Sequence, residues 1–120
     1  MMAYWMVFLG GGLGSICRFG ISRLLAAQGQ DFPWATLWAN LLSSFLLGTL
    51  IGLRIKGHLP VAWQYLLMAG FCGGFSTFST FAFESLALFQ DGKWEHGFGN
   101  IAISLVLGLA AVYAGIKVAA

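Results

Sequence analysis

The chain has 120 residues, of which 59% are hydrophobic and only 8% charged. About a quarter of the residues in a soluble domain are charged, so this composition excludes an ordinary soluble fold. A formal net charge of +2 with no basic cluster argues against nucleic-acid binding, and no nucleic-acid partner is expected.

Crossing a bilayer takes about 20 residues per helix. Four apolar stretches, roughly 3–27, 34–54, 61–89 and 96–118, use most of the chain. The predicted fold is an all-α integral membrane protein, a single four-span membrane domain over 1–120 with a break in the third span. The N-terminus lacks a positive n-region and an A-x-A-like cleavage site, so no signal peptide is expected. Cys17 and Cys72 lie in apolar stretches without CxxC or Cys/His spacing and read as small packing residues.

The first span carries Gly10-Gly11-Gly12-Leu13-Gly14-Ser15. Gly10 and Gly14 form a GxxxG pair that lets another backbone approach, and no Gly-Lys-Ser/Thr follows to make a phosphate loop. Arg18 sits toward the far end of this span, where two readings stand side by side. Its side chain either snorkels to the interface or works inside the membrane, drawing anions into a vestibule or tying helices together.

Gln28 to Pro33 is a short polar connection, and Pro33 suits the start of the second span. Trp34 and Trp38 lie where aromatic belts form. Within the span, Asn40, Ser43 and Ser44 share a face by i, i+3 and i+4 spacing. That face must meet protein or water, and interhelical glue is its plain reading, since asparagine and serine commonly bridge membrane helices. Arg54 to Pro60 is the second connection, and its His58 has no catalytic partner in view.

The third span, Val61 to Phe89, holds Gly70-Phe71-Cys72-Gly73-Gly74-Phe75-Ser76-Thr77-Phe78-Ser79-Thr80-Phe81 at its centre. Its adjacent glycines each weaken a helix by roughly 1 kcal/mol relative to alanine, which predicts two half-helices around a break. A break at membrane depth is tolerated only where the freed amides and carbonyls find partners. Such breaks mark ion and substrate sites in other membrane proteins. Phe75, Phe78 and Phe81 recur every third residue as one stripe, readable as packing or as edge-on rings that accept a small anion. Ser76, Thr77, Ser79 and Thr80 add hydroxyls able to donate to an anion or to loosened backbone.

Glu84 follows as the one acid near a span, placed at the interface or in a vestibule; Asp31, Asp91 and Glu95 belong to connections. In the fourth span Asn100, Ser104 and Gly108 recur every four residues as a small-polar seam, either a helix contact or a polar track. With four spans, Arg54, Lys56 and Lys117 fall on one side of the membrane. Arg23 and Lys93, with Arg18 if it snorkels, fall on the other. So small a bias permits insertion in both orientations, and two opposed copies would pair about an axis in the membrane plane.

Through Gly-Ser-Ile-Cys-Arg-Phe at 14–19, Asn40, and above all the 70–81 motif, the chain resembles the Fluc/CrcB fluoride ion channels over essentially its whole length. The resemblance implies a dual-topology antiparallel homodimer in the bacterial plasma (inner) membrane. It would export cytoplasmic fluoride passively through two antiparallel pores, around a structural central sodium ion. It implies pore-lining roles for Phe78, Phe81 and Asn40, third-span polar positions for Ser79 and Thr80, and a fourth-span track position for Ser104. It also implies sodium-binding backbone carbonyls at Gly73 and Ser76, the latter a threonine in many relatives. Arg18 and Glu84 match charged positions of the family, as vestibular or structural charges. Gly108 stands where some relatives carry a hydroxyl.

The runner-up, a small dual-topology multidrug or cation exporter, needs a membrane-embedded carboxylate. The first span has none, and Glu84 lies beyond the phenylalanine motif. A pure assembly factor has no need of an interrupted span, and an enzyme is disfavoured because no acid, base and nucleophile converge.

Overall fold

The computed structural model describes residues 1–26 and 32–120. Ala27, the predicted end of the first span, and Gln28 to Asp31 of the first connection lie outside the described residues. Helix α1 runs Met2–Ala26 and α2 Trp34–Ile55. The third span opens with one α turn, Val61–Trp63 (α3), and continues as a π-helix, Gln64–Cys72. It then returns to an α turn, Gly73–Phe75 (α4). Past Ser76 and Thr77 it resumes as α5, Phe78–Gln90, and α6 covers Trp94–Ala119. Four helical spans are long and apolar enough to cross a membrane, and the described residues form no strand.

Local chemistry sets the ends of these helices. Pro33 and Pro60 immediately precede α2 and α3, where the missing proline N–H breaks no helical bond. Both α2 and α5 end on a glycine in the left-handed region, Gly57 and Gly92, each at φ 78°. At the first, Gly57 N–H donates to the Arg54 carbonyl and His58 N–H to that of Leu53, both at 2.9 Å. At the second, Gly92 donates to Phe89 and Lys93 to Leu88, at 3.1 and 2.8 Å. These paired bonds satisfy end carbonyls that the helix itself leaves open.

The spans pack as two parallel pairs. Helix α1 lies along the first half of the third span so closely that a Cβ at Gly10 would strike the Leu66 carbonyl, and one at Gly14 the Phe71 carbonyl. Gly74 is pressed in the same way against the carbonyl of Gly11. Helix α2 lies along α6, with Gly48 against the Val112 carbonyl and Gly115 against that of Phe45. In each pair the residue numbers rise together, so alternate spans run in the same direction. Helix association in lipid depends on such close backbone approach, since apolar side chains gain little by leaving one apolar medium for another.

The interior is correspondingly thin. Leu37, Ala39, Leu50, Cys72, Phe75 and Leu88 form the buried apolar set, while Trp5, Phe8, Phe19 and Leu109 face outward. On a soluble protein that surface would aggregate; here it suits lipid.

Candidate functional site at the helix break

The break falls at Ser76 and Thr77, just after the glycines expected to cause it. Gly73 keeps helical angles, φ −64° and ψ −37°, whereas Ser76 (ψ 156°) and Thr77 (φ −151°) are extended. What ends the first half-helix and starts the second is a set of hydroxyl and amide caps. The Thr77 hydroxyl accepts from Thr80 N–H at 3.3 Å, making Thr77 the N-cap of α5. Asn40, reaching across from α2, clasps the same residue: its Oδ1 accepts from Thr77 N–H at 2.8 Å, and its Nδ2 donates to the Thr77 carbonyl at 3.2 Å.

The carbonyls at the end of the first half-helix meet different fates. That of Cys72 accepts from Ser76 N–H (3.0 Å), from the Ser76 hydroxyl (2.8 Å) and from the Ser43 hydroxyl (3.0 Å). That of Gly74 accepts from Arg18 Nε at 3.1 Å, so Arg18 turns inward to the break, a cation placed at a helix C-terminus. Gly73 and Ser76 lose their helical donors altogether. Thr77 N–H, four residues after Gly73, goes to Asn40, and Thr80 N–H, four after Ser76, goes to the Thr77 hydroxyl. Gly73 is exposed, with nothing within 4 Å of where a Cβ would stand.

Beside the break lies a cavity of about 240 Å³ lined by Asn40, Ser44, Ser76, Thr77, Phe78, Phe81, Ser104, Leu105 and Gly108. Of the residues singled out from the sequence, Asn40, Phe78, Phe81 and Ser104 thus surround one space, with Ser76 at its edge. The Phe78 and Phe81 rings lie 5.9 Å apart, tilted by 50°. Phe78 is 78% exposed, so its ring stands open to lipid or to another chain.

Ser79 and Thr80 do not line this space. They lie one and two residues past Phe78 on α5, which turns them off the face that Phe78 and Phe81 share. Ser79 is exposed, its hydroxyl 3.4 Å from that of Thr77. Thr80 faces a second cavity of about 70 Å³, lined also by Arg18, Ser22, Ala35, Thr36, Thr77 and Glu84. The two matched charges therefore share one small chamber behind the break, and Glu84 Oε1 is buried there with no partner among the described residues. Thr77 borders both spaces.

Three lining residues, Ser44, Thr77 and Leu105, are not among those to which the family resemblance gives a role. Ser44 is visible as the residue four after Asn40, on the face that the sequence marks as polar. The structure divides that face: Ser43 is buried against the Cys72 carbonyl, while Ser44 lines the cavity. The Ser44 hydroxyl lies 4.0 Å from where a Cβ at Gly108 would stand, so α2 brings a hydroxyl to the point where α6 has none. Thr77 is marked in the sequence by its hydroxyl beside the expected break, whereas Leu105, an apolar residue of an apolar span, carries no signal.

Residues 5–116 match the family described as CrcB-like protein, Camphor Resistance (CrcB). A relative from Opitutus terrae, a fluoride-specific ion channel FluC by name, is 42% identical over 119 residues, spanning 96% of this chain and 90% of its own. Proteins of the same name from Pyrococcus abyssi and Thermus thermophilus are 39% and 40% identical, covering 92% and 98% of this chain and 89% and 94% of theirs. The match runs through all four spans and the break, and the chain belongs to the CrcB family.

Proposed function

We propose that this chain forms a fluoride-selective channel. It exports cytoplasmic fluoride by passive conduction through two antiparallel pores of a dual-topology homodimer in the bacterial plasma (inner) membrane. The observation that carries the reading is the cavity in which Asn40, Ser44, Phe78, Phe81 and Ser104 meet beside the break.

Its chemistry suits a small anion held weakly and repeatedly. Of the two Asn40 amide hydrogens, one is given to Thr77, leaving one for the cavity. Ser44 and Ser104 offer hydroxyl donors from facing helices. The phenylalanine rings present electropositive edges that attract without the grip of a full charge. Helix α5 begins at Phe78, and its N-terminus adds partial positive charge. Conduction needs sites strong enough to enter and weak enough to leave. No covalent step is involved.

What one copy leaves open supports the homodimer. Phe78 is largely uncovered, and Gly73 is an exposed residue whose carbonyl has lost its helical donor. Carbonyl oxygens are suited to a hard cation. Gly73 and Ser76 of each copy would hold the structural sodium ion, which supplies positive charge and satisfies backbone that the break exposes. Relatives carrying the name of fluoride-specific ion channel support the choice of ion.

The test is ion efflux from liposomes containing the purified protein, read with a fluoride electrode and repeated with chloride. The expected result is fluoride release without chloride release, with Phe78→Ile and Phe81→Ile each slowing it by about tenfold, the worth of one aromatic contact. Folded dimers that release no fluoride would overturn the reading.

A further inference from the structure

Asn100 is the one large side chain fully buried among the described residues, at 1% exposure, and it lies in the second turn of α6. A primary amide in such a place is costly unless it is hydrogen-bonded. Its Nδ2 donates to the Ser85 hydroxyl of α5 at 2.9 Å, which accounts for one end as a tie between helices. Its Oδ1 accepts from the Ser104 hydroxyl at 3.4 Å, and Ser104 lines the cavity beside the break. Neither Asn100 nor Ser85 lines that cavity.

A serine within a helix ordinarily donates to the carbonyl four residues back. For Ser104 that would be the backbone carbonyl of Asn100. The hydroxyl goes instead to the Asn100 side chain, which draws the proton off the backbone. The two bonds of the amide differ in firmness. At 2.9 Å the bond to Ser85 has ordinary length, while 3.4 Å is long for O–H···O. The amide is thus fixed and the hydroxyl only loosely held, free to turn its proton toward an anion and return it afterwards.

We propose that Asn100, oriented by Ser85, is a positioning residue for the anion pathway and acts through the Ser104 hydroxyl. The inference rests on the channel reading above and adds two residues that never touch the ion. An amide that bound the ion directly would line the cavity.

The experiment is fluoride efflux per folded dimer for Asn100→Leu, Ser85→Ala, Ser104→Ala and the doubles that combine each of the first two with Ser104→Ala. Asn100→Leu is expected to slow fluoride release roughly fivefold, the worth of one neutral hydrogen bond, and Ser85→Ala to act in the same direction by less. In the Ser104→Ala background neither change slows release further. Losses that multiply in the doubles would overturn the proposal, because Asn100 would then act on the ion by another route. So would an Asn100→Leu protein of lower thermal stability whose flux per folded dimer is unchanged. Should Asn100→Leu fail to fold, the Ser85→Ala pair completes the same cycle. Unmodified protein that releases no fluoride removes the channel reading and this one with it. Unmodified protein that conducts, with multiplicative doubles, removes this one alone.

Discussion

Asn40 joins α2 to the interrupted span with both ends of its amide, accepting from Thr77 N–H and donating to the Thr77 carbonyl. It does for the extended residue what a neighbouring strand does in a sheet. Asn40→Ala removes both bonds and should lower stability in detergent by about 2 kcal/mol, at about 1 kcal/mol per bond. Asn40→Asp keeps the acceptor and should cost less, yet its negative charge would face the cavity proposed for fluoride, so efflux should stop. Thermal unfolding together with efflux separates the two effects. Asn40 is legible in the sequence because a lone amide in an apolar span must have a partner. Ser104 and the phenylalanines are legible through spacing and resemblance. That Thr80 and Glu84 share a face away from Phe78 follows from their spacing along α5, but their meeting with Arg18 is not legible: it depends on which way α5 is rotated after the break, where two extended residues erase the phase carried from the first half of the span.

The glycines of the third span illustrate how an element can be read correctly for a partly wrong reason. They suggest a broken helix, and the helix is broken, but Gly73 remains helical and Gly74 serves contact with Gly11. The interruption comes from hydroxyl caps and from Asn40, a partner that local propensity does not contain. The π-helix at Gln64–Cys72 has no counterpart in the sequence pattern; each of its bonds spans one residue more than an α bond, which shifts the face that follows. Contact glycines and idle glycines differ in consequence. Gly14→Val would drive a side chain into the Phe71 carbonyl and should leave no folded protein on size-exclusion chromatography. Gly12→Ala meets nothing within 4 Å and should raise stability by up to roughly 1 kcal/mol through helix propensity alone.

For the molecule as a whole, the inward turn of Arg18 removes it from the count of interfacial charges. Arg54, Lys56 and Lys117 then face Arg23 and Lys93 across the membrane, a difference of one that scarcely orients a chain. A variant with added lysines near the C-terminus should insert one way only and lose efflux. Another with lysines added to the opposite connections should behave alike, and producing the two together should restore activity. Efflux from either biased variant alone would show that opposed copies are not required. Four spans are legible from hydropathy, since lipid imposes length and apolarity directly. The pairing of α1 with the third span and of α2 with α6 is less so, because it turns on individual glycines meeting individual carbonyls.

The side chains that quiet the break from outside the third span share one property: Arg18, Asn40 and Ser43 all precede it in the chain. During synthesis the first two spans leave the ribosome earlier, so these donors are already in the bilayer when the interrupted segment arrives. The carbonyls of Cys72, Gly74 and Thr77 therefore need not wait in lipid unattended. Sequence order here doubles as an assembly schedule, and a circular permutant beginning at Val61 would present the problem before its solution.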